Sequence, residues 1–156
     1  MRTTLAVGAV SLALVAAATA QMAPKPAHVI VGAAELKWGP APPVFEKEAQ
    51  MAVVSGDPGK KGMFTIQLKM PADYAVPPHS HPTDEVVKVV SGEVHYAMSD
   101  TMDMAKAKTL KSGGSVDMKA KMNHWVHASA PATVQVSAMG PFEITYVDPK
   151  DDPRTK

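Results

Sequence analysis

The sequence contains no cysteine among its 156 residues. A disulfide framework and a thiolate metal site are therefore excluded, so any metal has to bind through nitrogen, oxygen or methionine sulfur. The chain also lacks an excess of either charge, with 16 Lys and Arg against 15 Asp and Glu. A nucleic-acid-binding protein would normally carry a basic excess, so that class is disfavoured. No Ser/His/Asp triad or phosphate-binding glycine loop is evident, which disfavours hydrolases and nucleotide enzymes.

The first 20 residues have the pattern of a secretory signal peptide. Arg2 precedes an apolar run over residues 5–17, and the run ends at the small-residue cleavage pattern Ala18-Thr19-Ala20. The run is shorter than the roughly twenty apolar residues of a membrane span, so a cleaved signal is favoured over an anchor. We therefore expect a periplasmic or secreted protein of one domain that is not associated with the membrane after cleavage.

Short strands separated by turns follow the signal. The clearest covers 64–70, where apolar residues alternate with polar ones, and Thr101 to Lys108 is the only predicted helical turn. Many short strands in one small domain predict an all-β sandwich or barrel with little helix. The predicted segments are a signal peptide (1–20), a Pro-rich leader and loop (21–46), a β-barrel domain (47–148) and an extended polar tail (149–156). The other predicted strands cover 48–54, 86–90, 93–98, 115–118, 124–128, 133–138 and 142–147.

Two histidines and one glutamate have the spacing of a metal site. His79 and His81 are two positions apart, so on an extended chain their imidazoles point to the same face. Glu85 follows closely enough in the sequence for its carboxylate to lie beside these two imidazoles. This set suits a divalent transition ion, which needs a fourth ligand, and His124 is the candidate.

These residues resemble the first motif of the cupin superfamily. His79-x-His81, three residues, Glu85, six residues and Gly92 match that motif at every metal-ligand position. More narrowly, segments 81–85 and 140–154 resemble small exported bacterial single-cupin proteins.

The second cupin motif is matched in part. Gly113 and His124 have the expected separation. The departures from the two motifs are Lys119 and Lys121 in place of Pro and Gly, Ala128 in place of Asn, and Asp73 in place of a Gly in the first motif.

The resemblance implies a conical antiparallel β-barrel, of the double-stranded β-helix or jelly-roll type. It implies one divalent metal inside the barrel, held by His79, His81, Glu85 and His124. The ligand types leave the identity of the ion open among Fe, Mn, Zn, Ni and Cu. A metal-free site is the alternative, and a homodimer is expected by analogy alone.

Several other side chains have two interpretations. Lys119 and Lys121 could attract an anion at the barrel mouth, but a solvated surface is favoured. His28 and His127 are interpreted as surface residues, because His127 points to the face of its strand opposite His124. His95 faces either the cavity or, with slight preference, the solvent. Trp125 and Tyr96 either line the cavity or pack the barrel. The methionines either pack the hydrophobic core or, at Met98, Met102 and Met104, form a Cu(I) site.

Two functions remain after these considerations. The first is a metal-dependent enzyme, a dioxygenase or decarboxylase-like cupin that acts on a small organic acid. The second is a non-catalytic module that binds a small ligand or a metal, with methionine-assisted copper handling as a minor variant. The two differ in whether the cavity contains a polar group beyond the four ligands, for which Tyr74, Tyr96 and His95 are the candidates.

Overall fold

Apolar residues alternate with polar ones along most strands, so each of two antiparallel sheets buries one face against the other. The computed structural model describes residues 35–156. The predicted signal peptide, the leader up to residue 34 and His28 lie outside the described residues. Within the described part, no helix is long and apolar enough to cross a membrane.

Eleven strands and three short 3₁₀ turns make up the described chain. The 3₁₀ turns are Met104–Lys106, Pro149–Asp151 and Pro153–Thr155. The strands are β1 Gly39–Pro40, β2 Gln50–Ser55, β3 Gly62–Met70, β4 Tyr74–Ser80, β5 Glu85–Ser91, β6 Glu93–Ala97, β7 Lys108–Lys111, β8 Ser115–Met118, β9 His124–Ala128, β10 Ala132–Gly140 and β11 Thr145–Tyr146.

One sheet has the strand order β1-β2-β3-β10-β5-β8 and the other has the order β11-β4-β9-β6-β7. The longest pairing joins β3 to β10, from Gly62 opposite Gly140 to Met70 opposite Ala132. The inward side chains of β3 are fully or almost fully buried, with Phe64 and Ile66 at 0% exposure. The all-β barrel is therefore confirmed, and its interior is closed by aliphatic and aromatic side chains.

Gly92 turns the chain between β5 and β6. The alternation over residues 86–98 predicts a hairpin at this turn, and that prediction is wrong, because β5 and β6 belong to different sheets and do not pair with each other. Its φ is +75°, and a Cβ at this position would lie 2.7 Å from the carbonyl oxygen of Pro131. Only glycine fits both conditions.

The structure differs from the sequence prediction at several elements. The helical turn predicted over 101–108 is wrong for most of its length, because only Met104–Lys106 forms a 3₁₀ turn. The tail is not extended but makes two 3₁₀ turns, each begun by an aspartate side chain that accepts a backbone N–H. The strand predicted over 142–147 is reduced to β11, because residues 141–144 leave the sheet and cover the interior. Strands β1, β4 and β7 were not predicted.

Candidate metal centre

Three histidines converge inside the barrel. His79 lies near the end of β4, His81 directly follows that strand, and His124 begins β9. The register of β4 and β9 places His79 directly opposite His124. One ring nitrogen of each histidine lies within 4.8 Å of the corresponding nitrogens of the other two. All three side chains are buried, with exposed fractions of 4%, 6% and 1%.

Glu85, the first residue of β5, approaches two of these imidazoles. Its Oε1 lies 3.0 Å from Nε2 of His124 and 3.4 Å from Nε2 of His81. The carboxylate is 4% exposed. The structure thus brings together all four residues that the sequence singled out, with the three histidines as the mutually close group and the glutamate beside two of them.

Backbone carbonyls fix the orientation of the three interior imidazoles. Nδ1 of His79 lies 2.7 Å from the Pro77 oxygen, and Nδ1 of His124 lies 2.9 Å from the Met122 oxygen. Nδ1 of His81 lies 2.7 Å from the carbonyl oxygen of residue 143. A carbonyl oxygen can only accept, so we assign the proton to Nδ1 in each ring. A ring in this orientation that carries no second proton presents its Nε2 lone pair, as metal-binding histidines commonly do.

Burial opposes a second proton on His79 and His81. It lowers the pKa of His79 well below the usual value, and it also lowers the pKa of His81. Where Nε2 is unprotonated, as burial favours for His81, a carboxylate oxygen and an imidazole lone pair face each other without a positive charge between them. Such an arrangement is repulsive unless a cation lies among the donors. Three imidazoles and one carboxylate fit a divalent transition metal in this role.

The four donors open on a small apolar cavity of about 40 Å³. A buried water needs about 10–15 Å³ on this measure, so the space holds a few water molecules. The other lining side chains are aliphatic, aromatic or methionine, among them Ile66, Val126 and Ile144. Among the described residues that line this cavity, the four donors are the only polar side chains.

The three additional polar candidates from the sequence do not line this cavity. Tyr74 is buried, and its hydroxyl donates to the Glu46 carbonyl at 2.9 Å. His95 contacts Thr109 Oγ1 on the outside of the barrel, and Tyr96 packs against the edge of the core.

A layer of phenylalanines, which sequence reasoning missed, lies beside the histidines. The Phe142 ring stacks on His81 with centroids 5.0 Å apart and an interplanar angle of 24°. The same ring contacts Phe64 edge-on at 5.5 Å and Phe45 at 6.2 Å. These rings come from distant parts of the chain, and the only signal in the sequence is that Phe142 follows the Gly140-Pro141 turn.

Hydrogen bonds tie the loop before β9 to the loop after β4. The Lys121 N–H donates to the His81 carbonyl at 2.8 Å. Asp84 accepts from the Ala120 N–H at 2.8 Å and from Lys119 Nζ at 2.9 Å. Lys119 and Lys121 are both exposed, consistent with the surface interpretation. The role of Asp84 in joining the two ligand-bearing loops was not predicted.

Two further expectations concern residues outside the cavity. Met98, Met102 and Met104 are exposed and do not line the cavity, so they do not contribute to the interior site. Trp125 is fully buried, but it points to the face of β9 opposite His124 and so does not line the cavity. Its Nε1 is a buried side-chain nitrogen without a hydrogen-bond partner.

Comparison with solved structures shows that the chain has the cupin fold. No family model matches the sequence, and no curated protein matches it significantly. The polyketide cyclase RemF from Streptomyces resistomycificus is similar with a TM-score of 0.66 and 16% identity, over 79% of this chain and 87% of that one. An acetylacetone dioxygenase candidate from Methylibium petroleiphilum has a TM-score of 0.64 and 18% identity, over 85% and 90%. An RmlC-like cupin from Shewanella frigidimarina has a TM-score of 0.57 and 12% identity, over 72% and 91%.

Proposed function

We propose that this cupin-fold protein is an exported metalloenzyme that binds one divalent transition metal through His79, His81, Glu85 and His124. The observation that carries the proposal is the convergence of three Nε2 lone pairs and one carboxylate in an otherwise apolar cavity. Export is proposed from the signal-like residues 1–20.

The proposed substrate is a small organic acid or a related oxygen-bearing molecule. A divalent metal held by these four residues would supply Lewis-acid or redox chemistry to an oxygen donor of the substrate. The protein's own contribution is to hold the four donor side chains in place, to keep bulk water out with its apolar lining and to limit the size of the substrate, since the free space is about 40 Å³. An oxygenase or decarboxylase-like reaction fits these features. The likeness to an acetylacetone dioxygenase candidate supports the oxygenase class.

Metal analysis tests the site. Protein purified from the exported fraction should carry close to one equivalent of a transition metal, and a His79→Ala/His81→Ala variant should lose it. His28→Ala is the matched control, because it removes a histidine that is not assigned to the site. Equal trace metal in the wild type and the double variant would refute the assignment. Recovery of the wild type only in the cytoplasm, with residues 1–20 still attached, would refute export.

Turnover tests the reaction class. Oxygen uptake and product release are measured with Fe(II) or Mn(II) restored, over a panel of small carboxylates and diketones. We expect turnover for the smallest members of the panel and a steep loss for larger ones, because the cavity is small and closed by bulky side chains.

A non-catalytic metal-binding or small-ligand-binding module is the second candidate. One observation favours it: the described lining of the cavity holds no acid or base beyond the four donors. A fully metal-loaded protein that binds panel members but turns none of them over would establish this alternative.

A further inference from the structure

Two histidines outside the interior site face each other across neighbouring strands. His95 on β6 is the direct register partner of His127 on β9. Their rings are nearly parallel, with centroids 6.4 Å apart and an interplanar angle of 23°. His124 and Val126 of β9 line the interior cavity, so alternation places His127 and its partner on the outer face of the sheet. This pair is therefore separate from the interior metal centre.

A hydroxyl group lies beside the same nitrogen of each ring. Nδ1 of His95 lies 3.1 Å from Thr109 Oγ1, and Nδ1 of His127 lies 3.3 Å from Ser129 Oγ. When each Nδ1–H donates to its hydroxyl, the Nε2 lone pair of each ring is available to a ligand. Oriented imidazoles of this kind are typical of metal-binding histidines.

We propose that His95 and His127 form a second, surface metal site for a late first-row divalent cation, with water completing the coordination. Residues directly opposite on antiparallel strands have Cβ atoms about 4.5–5.5 Å apart, which allows two side chains to share one ion. The ring centroids of the interior histidines lie 4.3–5.3 Å apart. The outer rings are only partly buried, and the proposed site requires side-chain rotations that shorten their 6.4 Å centroid distance to this range. Imidazole ligands favour Cu²⁺ over Ni²⁺ and Zn²⁺, and all three over Mn²⁺.

Titration of Cu²⁺ into the His79→Ala/His81→Ala variant tests the site without the interior centre. One equivalent of Cu²⁺ should still bind, and its electron paramagnetic resonance spectrum should show two coordinated nitrogens. Adding His95→Ala should weaken binding by more than tenfold and leave one nitrogen. Thr109→Val, which removes the hydroxyl partner, should weaken binding by about tenfold. His28→Ala in the same background is the control and should change neither the affinity nor the spectrum.

The proposal is overturned when His95→Ala and its background bind Cu²⁺ equally, or when the spectrum of the background shows a single nitrogen. If the His79→Ala/His81→Ala variant does not fold, a second measurement tests the proposal. In otherwise wild-type protein, His127→Ala should lower the total Cu²⁺ capacity from two equivalents to one without changing the melting temperature in chelator. An unchanged capacity would refute the second site, and it would leave the interior centre unaffected.

Discussion

A Glu85→Gln variant distinguishes a site that binds a metal ion from a site in which His124 and Glu85 share a proton. Glu85 Oε1 lies 3.0 Å from His124 Nε2, a distance that allows a hydrogen bond if a proton lies between the atoms. When Nε2 is unprotonated, the metal-free site holds a repulsive contact between two acceptors. Glu85→Gln replaces one oxygen by an NH₂ group that can donate to the lone pair of His124. The metal-free variant should then be more stable than the wild type, although it has lost a metal ligand.

The two explanations predict changes in the stability of the metal-free variant that differ in sign and in size. A new buried hydrogen bond contributes about 1 kcal/mol, so the metal-free variant should gain about that much. If His124 is instead protonated and paired with Glu85, the substitution breaks a buried ion pair and costs about 3–5 kcal/mol. A domain of this size shifts its melting temperature by about 4 °C for each kcal/mol. For a metal site, the melting temperature of Glu85→Gln in chelator should therefore rise by about 4 °C. For a buried ion pair, it should fall by more than about 10 °C.

With metal bound, the order of stability should be reversed, and the wild type should be more stable than Glu85→Gln. The four donors meet only in the folded state, so a metal at 100 times its Kd should stabilise the wild type by about 2.7 kcal/mol. Glu85→Gln should lose much of this gain, because a neutral amide is a weaker ligand for a cation. Thermal denaturation in chelator and in excess Mn²⁺ measures both effects. Glu143→Gln is the matched control, since this carboxylate is exposed, and it should change neither value.

A metal-free Glu85→Gln variant that is less stable by several kcal/mol, and that gains no stability from metal, would refute the metal assignment. It would establish a buried ion pair between His124 and Glu85 in place of a metal site.

Three more predictions follow from the described geometry. Lys121 and Asp73 have φ values of +62° and +58°, so glycine at either position should stabilise the protein by up to about 1 kcal/mol in urea denaturation; a loss of stability would show that the side chains contribute more than the backbone strain costs. Phe142→Ala should cost about 2 kcal/mol, less than for a fully buried ring, and should weaken metal binding; unchanged metal affinity would show that the ring does not hold His81. Burial raises the pKa of Tyr74 and of Tyr146, so the folded state keeps both phenols protonated and the free energy of unfolding should fall as pH rises above about 10; reversible ionisation of all tyrosines at that pH without loss of stability would contradict this.

The ligand set could be predicted from the sequence because it rests on short-range geometry. The spacing of His79 and His81 and the strand pattern that follows Glu85 are properties of an extended chain. His124 was a candidate for the fourth ligand, and the resemblance to the cupin motifs implied its place in the set. In the structure it depends on the register of β4 and β9, which no local pattern reveals.

Physical reasons explain why the sequence did not predict β4 and β7. β4 contains Pro77 and Pro78, and prolines normally exclude a central strand. They are tolerated here because the register with β9 shifts between Val76 and His79, where backbone N–H groups are not needed for the ladder. β7 is a short edge strand with Lys108 at one end and Lys111 at the other, and such edges lack an apolar pattern.

The composition of the cavity limits how a reaction there can move a proton. The described lining holds four polar side chains, and three of them have Nδ1 committed to a backbone carbonyl. When a metal occupies the three Nε2 lone pairs, Glu85 is the remaining side chain of the described lining that can accept a proton, so it would have to combine charge balance with any role as a base. A Glu85→Gln variant that still binds metal but has lost turnover would identify the carboxylate as the base of an enzyme. If the variant binds metal and the wild type also shows no turnover, the apolar cavity serves binding alone.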